Sequence, residues 1–416
     1  MKIAKVVCVP GRSGYMHRDL AAIKAGARPD IMIFHGDPVT PGFKKIVEPA
    51  TVISVMLLLE DGQVAFGDCV DVILAGIAGR DGAFNAEDHL AVVRGPLSRA
   101  LAGMDVSRFR ANADVVEAFA AGGSPLHTAV RYGVTQALLH ATSLAGRQTM
   151  AEVIAQEYDV QVAGAPIPIL ASCHKDDPMQ LDRVILKRFE LLPHASFTLV
   201  DDHVGRDGEK LIAFVANVVK RIGEIGDPDY HPRIHVDVYG TLGELFGMRL
   251  DAIAGYLAKL RKAAGRFGLL VESPIIAHSQ AAQIESFAAL RSRLRDDGTD
   301  VGLIADEWCN TLADIGKFAR ASACDFVQVK TPDLGGIQNS IEALLLCRKT
   351  GMGACLGGTA NETDQSARIC THIGLACQPS FMLSKPGLGT DEALMIQTNE
   401  MARTLALIAE RRSSRG

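Results

Sequence analysis

FVQVKTPDLGGIQNSIEALLLCRKTGMGACLGG, residues 326–358, carries the alternation on which the fold turns. Phe326, Val327 and Val329 favour a strand, and Pro332 stops it. Gly335-Gly336 supplies turn geometry before GIQNSIEALLLCRKTG, a helix candidate. GACLGG (353–358) is then a second short apolar run. Side chains alternate along a strand, so Gln328 and Lys330 point one way and Val327 and Val329 the other. An ammonium at the end of so apolar a strand needs a reason.

The same rhythm extends in both directions. From Pro166 the apolar runs are PIPILASC, ASFTLVDD, RIHVDVYG, GLLVESP, VGLIADEW, FVQVKTP, GACLGG and SFMLSKPG. Helical patterns such as MQLDRVILKRFELL, EKLIAFVANVVKRIGEI and LDAIAGYLAKLRKAAGRFG lie between them. Repeated strand-then-helix units predict an α/β fold, a (β/α)8 TIM-type barrel. A doubly wound open sheet is the competing architecture, but it would place fewer polar residues at so many strand ends.

Ahead of the barrel, a strand-like opening (Ile3 to Val9) and TVISVMLLLEDGQVAFGD suggest a meander with a turn at Asp61-Gly62. AEDHLAVVRGPLSRALAG and PLHTAVRYGVTQALLHATSLAGR follow as helices. The expected organisation is an N-terminal α+β capping domain, 1–163, and a catalytic barrel, 164–416, joined near GAPIP (164–168).

Composition narrows the function. The chain has 416 residues, 48% of them hydrophobic, enough for a barrel plus a smaller unit. The net charge is −5 and the basic residues are scattered, which argues against a nucleic-acid surface. The longest apolar run, Val52 to Leu59, is too short to cross a bilayer, and MKIAKVVCVPG lacks a signal-peptide core. Nine cysteines with no C-x-x-C pair fit reduced thiols in the cytoplasm.

Catalytic groups in such barrels project from the C-terminal ends of the strands. Three successive strand ends offer Asp237, Glu272 and Asp306, the last beside Glu307, and the next offers Gln328 and Lys330. Three converging carboxylates repel one another in a low-dielectric mouth, and a hard divalent ion such as Mg2+ relieves that. Buried beside such an ion, Lys330 is expected to have a lowered pKa and to act as a base. The metal stabilises the ene-diolate formed when a proton leaves the carbon next to a bound carboxylate, an arrangement already known for the enolase superfamily. Taken singly, each acidic residue is more often a turn or cap, and a strand lysine more often an edge guard. His194, just before the expected second strand, is alone more often structural, and Thr359 alone is more often an N-cap. LGGT is also a glycine-rich turn at a helix N-terminus, where a carboxylate can bind.

At these residues the sequence resembles the methylaspartate ammonia-lyase family of the enolase superfamily. LPHA, HVDVYG, ESP, DEWCNT, VQ-K-PDLGG and LGGT-NETD carry the likeness, with GDC at Gly67 and GRD at Gly79 in the cap. The resemblance implies a capped barrel, a homodimer or higher oligomer, Mg2+ and a monovalent cation, K+. It implies Asp237, Glu272 and Asp306 as metal ligands, and Lys330 and His194 as bases for opposite faces of the substrate. It implies Gln328, Thr359, Ala360, Ser172, Ile73 and Leu383 at the substrate. The lysine-x-lysine signature of the muconate and mandelate branches is missing from the second strand. Several positions depart from the family. Ile73 and Ser172 stand where it has glutamines, Ala360 where it has a cysteine, and Leu170 and Cys355 where aromatics line the pocket. Cys173 or His174 could fill the place left at Ser172. The expected activity is a Mg2+-dependent carbon–nitrogen lyase acting on 3-methylaspartate or a related 3-substituted aspartate to give mesaconate or an analogue. A dehydratase or epimerase on a different carboxylic acid is the alternative, and a non-catalytic barrel that binds a metabolite is a third. The substrate's identity, its stereochemistry and the direction of flux stay open at this level.

Overall fold

The computed structural model describes residues 1–387 and 389–414, so Leu388 and the last two residues of the expected 164–416 unit lie outside it. The chain opens with strand β1 (Ile3–Arg18) and a short hairpin, β2 (Arg28–Asp30) with β3 (Ile33–His35). β4 (Val47–Leu59) and β5 (Val64–Cys69) follow, and β1, β4 and β5 form an antiparallel sheet in the order β1-β4-β5. The turn expected at Asp61-Gly62 joins β4 to β5, with Gly62 in the left-handed region at φ 86°.

The helix Thr128–Gly146 lies on this sheet in close backbone contact. A Cβ at Gly133 would overlap the Cys69 amide, and one at Gly67 would overlap the Gly133 carbonyl. The GDC motif is therefore packing geometry first. Its aspartate also ties the cap to the rest of the chain: Asp68 accepts from Ser54 Oγ and Thr363 Oγ1, each at 2.6 Å.

After a small hairpin, β6 (Ala120–Ala121) with β7 (Ser124–Pro125), the remaining strands close into a barrel. They are β8 (Ile169–Leu170), β9 (Leu191–Ser196), β10 (Arg233–Asp237), β11 (Leu269–Glu272), β12 (Val301–Ala305), β13 (Phe326–Val329), β14 (Gly353–Leu356) and β15 (Phe381–Leu383). All neighbouring pairs are parallel, and β15 closes onto β8. A helix follows each strand, from Pro178–Leu186 after β8 to Thr390–Ser413 after β15. No helix among the described residues is long and apolar enough to cross a membrane.

The alternation expected for Phe326–Lys330 is present. Val327 and Val329 are fully buried in the main apolar core, whereas Phe326 and Gln328 face the barrel interior. Inside the barrel, Leu170, Leu191, Leu270, Ile304, Cys355 and Phe381 pack as an apolar layer with Leu383. That layer corrects one expectation. Leu170 and Cys355 are fully buried in it, beneath the mouth rather than on the pocket wall.

The second barrel strand also differs from expectation. LLPHAS forms it, not ASFTLVDD. Leu191 and Leu192 pair with Arg233 and Ile234 of β10, while Phe197 to Asp202 leave the sheet. The β-rich composition of ASFTLV yields to tertiary pairing. One consequence is functional: His194 lies within the strand. Pro193 pairs with His235 and Ala195 with Val236, so His194 is the extra residue of a bulge, at φ 50°. A bulge re-aims its side chain, here into the barrel mouth.

Candidate functional site

The C-terminal ends of the barrel strands and the cap enclose one cavity of about 360 Å³. Lys330, His194, Asp237, Glu272 and Gln328 line it from the barrel. Thr359, Ala360, Ser172 and Leu383 line it from the following turns and strand ends, and Ile73 from the cap. Asp306 is reached through Lys330, whose Nζ donates to its Oδ2 at 2.7 Å. The structure thus brings every expected site residue to a single mouth. Cys173 and His174 line it too, beside Ser172.

Register explains the carboxylates. Asp237 and Glu272 are partners across β10 and β11, so both project from the same level of the barrel. Asp306 and Glu307 directly follow β12. All four are almost completely buried. Burial, then the charges of Glu272, Glu307 and Asp306, push Asp237 well above the usual carboxylate range. Burial also raises Glu272, and burial with Asp306 raises Glu307 to about 7. Asp306 is the exception: burial opposes its ionisation, but Lys330 and Arg80 outweigh it and hold its pKa down.

Arg80 was not singled out as a site residue, although the GRD motif contains it. It comes from the cap, and its guanidinium lies between Asp306 (Nη2 to Oδ1, 3.3 Å) and Asp333 (Nε to Oδ2, 2.7 Å). Five buried carboxylates, Asp237, Glu272, Asp306, Glu307 and Asp333, therefore face two cations, Arg80 and Lys330. An excess of three carboxylates over cations, with burial and mutual repulsion opposing their full ionisation, is an all-oxygen donor set that fits a hard divalent cation.

Lys330 answers both to burial and to its carboxylate neighbours. Burial pulls its pKa down, but Asp306 and Asp333 together outweigh burial and leave it raised. The lowering expected for Lys330 belongs to the metal-bound site; here the nearest charge to Nζ is the Asp306 carboxylate.

His194 meets a partner that sequence reasoning missed. Its Nδ1 is 3.2 Å from Nδ1 of His235 and 3.9 Å from Glu272 Oε2. His235 Nε2 lies 3.0 Å from Glu272 Oε2 but off the line of a hydrogen bond. His194, His235 and Glu272 form a compact group whose ligand atoms could also hold a metal ion. Burial lowers both imidazoles, His194 to about 4 and His235 to about 3, so both are neutral at pH 7. His235 was legible in IHVD, where it alternates with Asp237 on one strand face.

Gln328 Nε2 donates to both Glu272 oxygens, at 3.1 and 3.2 Å, while its Oε1 is buried without a partner among the described residues. A Cβ at Gly357 would overlap that Oε1, so glycine lets the turn after β14 close on Gln328. Thr359 is not the helix N-cap: Thr363 caps Asp364–Cys377, and Thr359 faces the cavity. Beneath this turn lies another group the sequence did not reveal. Lys385 and Glu362, both fully buried, are 3.3 Å apart, and Lys385 Nζ donates to Gly357 O at 2.6 Å. Tyr132 Oη, from the cap helix, donates to Glu362 at 3.0 Å, and Thr331 Oγ1 does so at 3.1 Å.

A capped parallel barrel that gathers acidic strand ends, a lysine and a histidine into one covered mouth is an enzyme of the enolase superfamily type. The model of the methylaspartate ammonia-lyase N-terminus matches residues 1–159, and that of the C-terminus matches 161–410. Methylaspartate ammonia-lyase 2 of Carboxydothermus hydrogenoformans is 46% identical over 412 residues, covering 99% of each chain. The crystal structure of beta-methylaspartase from Clostridium tetanomorphum, a Mg complex, superposes with a TM-score of 0.92 at 42% identity, covering 99% of this chain and 100% of that one. The Citrobacter amalonaticus enzyme containing (2S,3S)-3-methylaspartic acid gives 0.95 at 43% identity, covering 98% and 100%. The chain belongs to the methylaspartate ammonia-lyase family, a family of carbon–nitrogen lyases.

Proposed function

We propose that this protein eliminates ammonia from 3-methylaspartate or a related 3-substituted aspartate, giving mesaconate or an analogue. The observation that carries the reading is the shared cavity, in which Lys330 and His194 stand beside an uncompensated group of buried carboxylates. Asp237, Glu272 and Asp306 would hold Mg2+. When bound, that ion supplies charge stabilisation for the ene-diolate that develops on the substrate carboxylate.

The chain's own groups account for the rest. Lys330 takes the C3 proton from one face and neutral His194 takes it from the other. Lys330 must first give up a proton, because an ammonium has no free electron pair; the neutral amine can keep an N–H on Asp306 while its electron pair takes the C3 proton. Gln328 and Thr359 hold the substrate carboxylates, with Ala360, Ser172, Ile73 and Leu383 shaping the remaining contacts. The electron pair of the C3–H bond becomes the C2–C3 double bond, and the amine departs from C2.

The proposal includes a division into a cap, 1–163, and a barrel, 164–416. It also includes a cytoplasmic homodimer or higher oligomer and a K+ requirement. Support for a reducing compartment comes from the nine cysteines, all unpaired and buried.

A second reading, a dehydratase or epimerase on another carboxylic acid, draws on Ile73 and Ser172. Neither matches the glutamine expected to hold an amine. One experiment separates the two. Chelated enzyme is given 3-substituted aspartates or 2-hydroxy acids, with and without added Mg2+, and unsaturated product is followed by ultraviolet absorbance. Mg2+-dependent product from the aspartates supports the lyase. Product from hydroxy acids alone replaces it with a dehydratase, and full turnover without metal refutes the metal assignment.

A further inference from the structure

Arg18 ends β1 and lines the same cavity, beside Tyr15, Met32 and Ile73. Its backbone amide donates to Ile73 O at 2.8 Å, which fixes it to the pocket wall. Nη2 donates to Tyr15 Oη at 2.6 Å and approaches Met32 Sδ at 3.9 Å. Nε is buried with no hydrogen-bond partner among the described residues. Arg80, Arg188 and Arg221 each hold two carboxylates. Among the described residues, Arg18 faces none within ion-pair distance.

A guanidinium with an open donor and no acid partner, set in an enzyme's mouth, is built to receive an anion. The two carboxylates of an aspartate are already provided for, one among the strand-end groups and one at Gln328 and Thr359. Arg18 sits instead on the cap wall, next to the apolar side chains of Ile73, Leu74 and Met32. We infer that Arg18 is a specificity-determining residue that binds a third anionic group, a carboxylate on a short alkyl arm at C3 of the substrate. This rests on the lyase reading above. The arm's methylene carbons pack on Ile73 and Met32, where a glutamine would have left a polar group facing them. The elimination itself is unchanged. The base takes the C3 proton, the bond's electron pair forms the C2–C3 double bond, ammonia leaves C2, and the third carboxylate stays a spectator.

The test compares 3-(carboxymethyl)aspartate with 3-isobutylaspartate, a neutral partner of nearly the same shape, and with 3-methylaspartate. For the wild-type enzyme kcat/KM is expected to be at least about tenfold higher for the carboxymethyl than for the isobutyl compound. Arg18→Met should lower that ratio by about ten- to one-hundred-fold, the range of a hydrogen bond to a charged group. Arg18→Lys should retain part of it, since it keeps charge without the fork. The wild-type ratio decides independently of how either variant folds. A wild-type ratio near or below one, or an Arg18→Met that slows both compounds equally, overturns the assignment and leaves the lyase intact. Deamination of none of the three overturns the lyase reading, and this inference with it.

Discussion

Arg80→Met tests whether the cap's arginine holds the charge balance of the mouth. The guanidinium side chain is 2% exposed, and its partners Asp306 and Asp333 are 2% and 5% exposed. At 3.3 and 2.7 Å, each contact is worth about 5–6 kcal/mol of gross attraction at an effective dielectric near 20. Much of that offsets the cost of burying the cation. Removing one partner of a buried pair nonetheless leaves the other charge stranded, at about 3–5 kcal/mol. For 416 residues at about 2.1 cal/mol/K each, that lowers Tm by about 3–6 °C. The substitution also raises the excess of buried carboxylates from three to four, so added Mg2+ should stabilise the variant more than the wild type. The assay is thermal unfolding of chelated protein, repeated with Mg2+, on Arg80→Met and on Arg80→Met with Asp333→Asn. The double variant should lose less than the sum of its single losses, because the stranded charge is gone. A loss under about 1 kcal/mol for Arg80→Met, or strict additivity with Asp333→Asn, would refute the reasoning, since a buried charge left alone cannot be that cheap.

Two further outcomes are expected. Lys330→Ala and His194→Ala should each cost about 10² to 10⁴ in proton abstraction, on opposite substrate faces. Proton exchange in deuterated water with separate diastereomers checks this, and equal loss of both isomers in both variants sinks the two-base assignment. His17, in the cap, is buried with Nδ1 3.0 Å from Val72 O and 3.8 Å from Asp71, and burial lowers it to about 4. An unfolded histidine titrates near 6.5, so this contribution to stability is complete above that pH and is lost as pH falls from about 6.5 to about 4. The loss is at most about 3 kcal/mol, and His17→Gln should remove that part of the slope in urea unfolding across the window. Parallel wild-type and variant curves would show that His17 does not titrate there.

The sequence by itself determined the barrel and much of its mouth. Strand and helix periodicity are local, so FVQVKTP and its neighbours announce themselves, and a parallel barrel delivers each strand's last polar residue to the same rim. Asp237, Glu272, Gln328 and Lys330 were therefore legible from position alone, and Asp306 from its place just past β12. His194 was legible as a residue but not as part of a strand, because only pairing with β10 selects LLPHAS over the more β-rich ASFTLV. Depth was equally hidden: strand alternation puts Leu170 and Cys355 inside the barrel, but only its closure puts them in a filled layer below the cavity. Tertiary structure alone decided the charge pairing. Arg80 lies 226 residues before Asp306, and Tyr132 lies 230 before Glu362. Burial is the strongest single influence on Lys330 and lowers its pKa, but Asp306 and Asp333 together outweigh it and leave it raised. Arg18, which meets no acid partner among the described residues, reaches the barrel's cavity only because the cap seats on it. Electrostatic energy depends on distance and burial in space, and residues hundreds apart in the chain acquire both only when cap and barrel close on each other.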